Sequence, residues 1–277
     1  MTSGQQRLIT GLIAGAVVIL AIFWAPSDVF FALILVPFAW AAREYAVIAR
    51  NWAPTAPLGL LVPFVVAVAV GLFALFRADE SAEASVPWTL LAGGLALVLG
   101  AVFSALLSRA EVKDAVAAMG VFAFGVPYFA IPVACVYIVQ RSDPWLGLLL
   151  ALIVALGDTF AYYVGSKIGR HKIAPVISPN KSWEGSIAGF LAGQMIAVIW
   201  CFGRLGEVRL EILAIAAATA VLAQCGDLIE SLIKRSAGVK DSSRILPGHG
   251  GFYDRFDAII LAAPTFTVGA WLLGLVR

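Results

Sequence analysis

Charge is scarce in this chain: Asp, Glu, Lys and Arg together make up 13% of 277 residues, against about a quarter in a soluble domain. With hydrophobic residues at 61%, this deficit excludes an ordinary water-soluble globule and points to a polytopic membrane protein. Histidine is rarer still. The two present, His171 and His249, have no Cys or His partner at zinc-ligand spacing, so zinc is not expected. The three cysteines, Cys135, Cys201 and Cys225, fall inside apolar runs; they read as small packing residues and imply no disulfide framework. Convincing repeats and low-complexity tails are missing, and the longest polar connections, about 166–182 and 234–256, are too short for a soluble domain. A single membrane domain over 1–277 is the expectation, with no nucleic acid partner.

What the chain does have is long apolar runs. A helix crossing the hydrocarbon needs about 20 such residues, and nine windows qualify: about 8–24, 29–46, 58–76, 86–108, 119–139, 144–165, 183–203, 209–233 and 257–276. They are too long and continuous for barrel strands, so the expected fold is all-α with about nine membrane helices. The second window carries Arg43 and Glu44 near its end, which leaves eight spans or a half-embedded helix as the alternative. The first is followed by no small-residue cleavage pattern and reads as a retained helix. Lys and Arg counted in alternate loops number 14 on the side of the N-terminus and five on the other. Cations favour the cytoplasmic side, which places the N-terminus and both long polar loops inside. Before residue 140 the windows hold almost no charge and read as scaffold; 141–277 reads as the working part. There Gly185, Ser186, Ala188, Gly189, Ala192 and Gly193 form a small face for close helix packing, and a homodimer through such faces is an expectation.

Residues 226–257, GDLIESLIKRSAGVKDSSRILPGHGGFYDRFD, hold five of the 17 acidic and five of the 19 basic residues. A charge inside a membrane helix costs about 2.5–3.5 kcal/mol on insertion scales, so Asp158, Asp227 and Glu230 each need a partner or a wet cavity. Asp227, Glu230, Ser231 and Lys234 follow i, i+3, i+4, i+7, one face of a helix; Asp254 and Asp257 share a face at the start of the next. Two readings are open. In one, Lys234 and Arg235 neutralise Asp227 and Glu230 to hold the helices together. In the other the acids bind a hard cation, and because apolar residues would pack without the desolvation penalty, the second is preferred. Mg²⁺ takes one or two carboxylates and fills its other positions with water and phosphate oxygens. Asp227 and Asp254 are the first choice of ligands, with Asp257 next.

Leu246–Gly251 has three glycines in six residues, which permits positive φ and a backbone N–H cradle for an anion just before a helix. Lys234, Arg235, Lys240, Arg244 and Arg255 flank it. His249 is a proton donor, a hydrogen-bond donor to phosphate, or an ordinary loop histidine; His171 reads as a surface residue. A second basic loop, 165–185, sets Lys167, Arg170, Lys172 and Lys181 against Glu184 alone. One reading is orientation and contact with anionic lipid head groups; the sharper one has Ser178, Asn180, Lys181 and Ser182 bind phosphate, with Trp183 at head-group level.

Taken together, these segments resemble the phosphatidate cytidylyltransferase (CDP-diacylglycerol synthase) family. Its pattern Ser-x-x-Lys-Arg, then Lys-Asp, then Pro-x-His-Gly-Gly-x-x-Asp-Arg-x-Asp is matched by Ser231, Lys234, Arg235, Lys240, Asp241, Pro247, His249, Gly250, Gly251, Asp254, Arg255 and Asp257. Asp158-Thr-Phe-Ala-Tyr-Tyr and Ser178-Pro-Asn-Lys-Ser-Trp-Glu-Gly185 also look like family segments, so the likeness is strong over 140–277. Phe252 and Tyr253 depart from it, standing where aliphatics would be typical. The resemblance implies transfer of CMP from CTP to phosphatidic acid, giving CDP-diacylglycerol and pyrophosphate, in a bacterial cytoplasmic membrane with the site facing the cytoplasm. It further implies a two-cation centre, Mg²⁺ at Asp227 and Asp254 with a second cation beside Asp257. Lys234, Arg235 and Lys240 would then hold the triphosphate, Arg255 with His249, Gly250 and Gly251 the leaving group, and Ser178 and Lys181 a phosphate from the other loop. Ser231 and Asp241 join the substrate contacts, and Asp158 the cavity wall. An ion-coupled transporter or a polyprenol kinase are the rival classes.

Overall fold

The computed structural model describes residues 15–78, 112–245 and 250–276. In chain order these form α1 (Gly15–Trp24), α2 (Ser27–Ala49), a single 3-10 turn at Leu58–Leu60, α3 (Leu61–Ala78), α4 (Val112–Ser142) and α5 (Pro144–Ile168). Strands β1 (Lys172–Ala174) and β2 (Ser178–Ser182) follow, then α6 (Trp183–Leu205), α7 (Leu210–Ser236) and α8 (Tyr253–Leu272).

The molecule is a helical membrane protein, as composition required. Six helices among the described residues, α2 to α7, are long and apolar enough to cross a membrane. The predicted 86–108 window lies outside the described residues, α1 covers part of the first window, and the ninth is α8, which opens on Asp254, Arg255 and Asp257. Helix α2 runs unbroken past Arg43 and Glu44, and Glu44 is buried. Local signals set the helix ends. Asp143 caps α5 by accepting from the Trp145 N–H at 2.9 Å with Pro144 in the first turn, a pairing that satisfies an orphan donor and pre-sets φ. Gly206, at φ 74°, closes α6 in the left-handed conformation. The second basic loop contains a small antiparallel hairpin, β1 against β2, pairing Lys172 with Ser182 and Ala174 with Ser178.

The chain divides into two compact units, one made of Met1–Ile138, Ser236–Phe256 and Arg277, the other of Val139–Arg235 and Asp257–Val276. Aromatic packing organises the first. Tyr45 of α2, Phe129 of α4 and Tyr253 of α8 meet with ring centroids 5.4 to 6.4 Å apart, and Phe38 lies 5.0 Å from Phe256. Tyr253 has no exposed surface. Its bulk, atypical for the pattern, fills this cluster, where each ring pair adds about 0.5–1.5 kcal/mol beyond area burial.

Close backbone approach organises the second unit. A Cβ on Gly189 would collide with the Gly157 carbonyl, one on Gly185 would lie 2.6 Å from the Ala161 carbonyl, and one on Gly193 would touch Ile153 and Ala220 at 3.4 Å. Residues 153, 157, 161 and 165 of α5 thus run antiparallel to 193, 189 and 185 of α6, the small face read from the sequence. On the other side of α6, Leu191, Met195, Ile199 and Phe202 are each at least half exposed. Along a candidate span, that stripe suits contact with lipid tails.

Candidate active site

Helix α7 carries Asp227 and Glu230 one turn apart, and α8 carries Asp257; one carboxylate oxygen from each lies within 4.8 Å of the others. Both helices belong to the second unit over these residues. The approach depends on Gly226, since any Cβ there would run into the Asp257 carbonyl. Gln224, one turn before, donates from Nε2 to the Ser186 carbonyl at 3.0 Å and fixes α7 against α6.

Cations meet this cluster from two directions. Lys181 of β2 places Nζ 2.6 Å from Asp227 Oδ2, and Lys234 places Nζ 2.6 Å from Glu230 Oε1. Ser231 Oγ donates to Asp227 Oδ1 at 3.5 Å, and the Ala258 N–H donates to Asp257 Oδ1 at 2.8 Å. Asp158 of α5 is near enough that its charge, with those of Asp227 and Lys181, acts at Asp257. Each lysine thus pairs with one carboxylate of the cluster, Lys181 with Asp227 and Lys234 with Glu230. The expected salt-bridge network is therefore present in part: Lys234 meets Glu230 as read from the sequence, whereas Asp227 is met by Lys181 of the hairpin.

The hairpin that delivers Lys181 is itself held in place. Glu184 accepts from the Arg170 and His171 N–H groups at 3.2 Å and lies 2.7 Å from His171 Nδ1. Arg235 Nε donates to the Ile177 carbonyl in the turn at 3.4 Å. Ser178 sits half-buried on β2 opposite Ala174.

Asp254 falls in the first unit, whereas Asp227 and Asp257 fall in the second. Its Oδ2 accepts from the Gly251 N–H at 2.8 Å and from the Ser242 N–H at 3.1 Å, and lies 3.0 Å from Ser242 Oγ. Gly250 has φ 80°, the positive value the glycine-rich loop permits. The anion met by the N–H groups at this turn is the protein's own, because Phe252 and Tyr253 also donate to a carboxylate, that of Glu44. Lys240, Asp241 and Arg255 are exposed. His249, with Leu246, Pro247 and Gly248, lies outside the described residues.

Two acids stand out beyond those expected. Glu230, expected on the helix face though not as a ligand, stands in the carboxylate cluster, and its i, i+3 spacing from Asp227 was the available signal. Glu44 was read only as a blemish in an apolar window. Its signal was the same as for Asp158, a charge within a run long enough to cross the membrane.

A sequence profile described as the Cytidylyltransferase family matches residues 5–273. The chain belongs to the cytidylyltransferase family. Among curated relatives of this cytidylyltransferase, a protein named phosphatidate cytidylyltransferase from Staphylococcus haemolyticus is 44% identical over 132 residues, 46% of this chain and 50% of that protein. One of the same name from Haemophilus influenzae is 40% identical over 134 residues, 45% of this chain and 46% of that protein. A third, from Staphylococcus aureus, is 42% identical over 120 residues, 42% of this chain and 45% of that protein. The chain spans about half the length of the curated relatives it matches.

Proposed function

We propose that this cytidylyltransferase makes CDP-diacylglycerol: an oxygen of the phosphatidic acid phosphate attacks the α-phosphorus of CTP, the bond to the β-phosphate oxygen breaks, and pyrophosphate leaves. The observation that carries this reading is the gathering of Asp227, Glu230 and Asp257 within 4.8 Å, with Lys181 on Asp227, in a chain of this family. The donor set fits a divalent cation. All three groups offer hard oxygen ligands, and no sulfur or imidazole is among them. Asp227 and Asp257 would hold Mg²⁺, with Glu230 beside them; the sequence pattern adds Asp254, one helical turn before Asp257, and leaves room for a second cation. Such an ion, when bound, supplies charge neutralisation and a template for phosphate oxygens.

The remaining work belongs to the side chains. The attacking oxygen is already anionic, so no strong base is needed, and rate comes from positioning and charge stabilisation. Lys181 sits at the acid cluster and is aimed by the hairpin, so it is assigned to a phosphate arriving there, with Ser178 on the same strand. Lys234, Arg235 and Lys240 are assigned to the triphosphate, Ser231 and Asp241 to substrate contact, Asp158 to the cavity wall, and Arg255 and His249 to the leaving group. Gly250 and Gly251 are reassigned: with the Gly251 N–H donating to Asp254, the glycine turn shapes that carboxylate. The cation bias of the loops supports a site facing the cytoplasm, and the bacterial relatives support a bacterial cytoplasmic membrane; the small face of α6, expected to serve a homodimer, is instead taken up by α5 of the same chain.

Purified protein in lipid nanodiscs, given radiolabelled CTP, phosphatidic acid and Mg²⁺, is expected to form labelled CDP-lipid and release pyrophosphate. Transfer of the γ-phosphate alone, or no reaction with well-folded protein, would overturn the proposal.

A further inference from the structure

Glu44 is 2% exposed, in the middle of the first unit. A carboxylate has about four lone-pair sites, and here four donors meet them. Oε1 accepts from Ser243 Oγ at 2.6 Å and from the Phe252 N–H at 3.2 Å; Oε2 accepts from Ser242 Oγ at 2.8 Å and from the Tyr253 N–H at 2.8 Å. The donors come from both ends of the glycine-rich segment. Ser242 and Ser243 precede it, while Phe252 and Tyr253 follow it and open α8, where backbone N–H groups have no helical partner. One acid from α2 thus closes the base of the loop and caps the helix that carries Asp254.

The contact reaches Asp254 directly. Ser242 Oγ lies 2.8 Å from Glu44 Oε2 and 3.0 Å from Asp254 Oδ2. Gly251 packs so closely that any Cβ would collide with both Ser242 Oγ and the Glu44 carboxylate. We infer that Glu44 is a positioning residue of the transferase: it sets the orientation of the Asp254 carboxylate through Ser242 and through the first residues of α8. This rests on the proposed role of Asp254 in the reaction. It gives the N-terminal half of the chain a part in the chemistry that its apolar composition conceals.

The donor pattern makes glutamine a sharp probe. Each oxygen of Glu44 takes one backbone N–H, so whichever way the amide of Glu44→Gln turns, its NH₂ faces a donor that cannot rotate away. The expectation is a fall in kcat of about 10–100-fold, the range for losing a group that orients a ligand, with KM for CTP and for phosphatidic acid near wild type. Amide hydrogen exchange of folded Glu44→Gln should quicken at Gly251–Tyr253 and not along α5 and α6. Asp254→Asn is the reference. If Asp254→Asn is inactive while folded Glu44→Gln turns over like wild type, the inference is overturned; if Asp254→Asn itself stays active, the reading of the site fails and not merely this step. A variant that loses yield and thermal stability but keeps kcat in its folded fraction also overturns it, since a packing role alone predicts that. Should Glu44→Gln not fold, the pair Ser242→Ala with Ser243→Ala leaves the carboxylate and both backbone donors in place. Its kcat should fall several-fold, and an unchanged kcat overturns the inference.

Discussion

Glu44 of the first unit and the acid cluster of the second are accommodated by opposite means. Glu44 is surrounded by neutral donors, two hydroxyls and two backbone N–H groups, that use its acceptor capacity without matching its charge. Asp227, Glu230 and Asp257 are set against one another and share two lysines. Hydrogen bonds to a charged form hold it in place, whereas like charges a few ångströms apart repel and favour a cation. An acid of the first kind fixes geometry. Acids of the second kind are arranged to receive something positive.

The largest test of that contrast is Asp227→Asn or Asp257→Asn, each expected to lower turnover at least ~1,000-fold in folded protein, on the scale of losing a metal-centred transition-state contact. Near-normal activity at high Mg²⁺ would remove the metal from the account. Next comes the buried pair: Glu230→Gln removes the carboxylate charge 2.6 Å from the Lys234 ammonium. Breaking a buried pair costs about 3–5 kcal/mol, so its thermal midpoint should drop more than that of the double variant with Lys234→Met, read by scanning calorimetry in detergent. If the double variant is the less stable, the pair is not the source. Gly189→Ala, pressed against the Gly157 carbonyl, should cost about 1–3 kcal/mol as an overpacked contact without changing KM for CTP in the folded fraction. The smallest effect belongs to the first unit's surface. Arg77 and Asp28 pair at 2.5 Å with side chains 60% and 51% exposed, and Arg77→Ala should cost no more than about 1 kcal/mol, with turnover unchanged.

Much of this was legible in the sequence where a single helix carries the message. Asp227, Glu230, Ser231 and Lys234 share a face because 3.6 residues make a turn, and in the structure Ser231 meets Asp227 and Lys234 meets Glu230. The small face of α6 was readable from its glycines. What spacing along one chain cannot give is which distant segment meets that face: Lys181 reaches Asp227 through a two-stranded hairpin whose strands are three and five residues long, too short to announce themselves in a polar loop. Glu44 was obscured by its surroundings, because an apolar window is read for its hydrocarbon and a lone acid near its end looks like a boundary. Asp254 was expected to work with Asp227, and the two fall in different units; the i, i+3 step to Asp257 says nothing of the serine and glycine donors that hold Asp254.

The return of residues 236–256 to the first unit means that the order of the polypeptide and the grouping of its parts in space do not coincide. A chimera joined at residue 140 would inherit every signature residue from one parent and its Glu44 from the other. The two parents would have to agree on a serine pair and an acid nearly two hundred positions apart before the transplanted half behaved as it did at home.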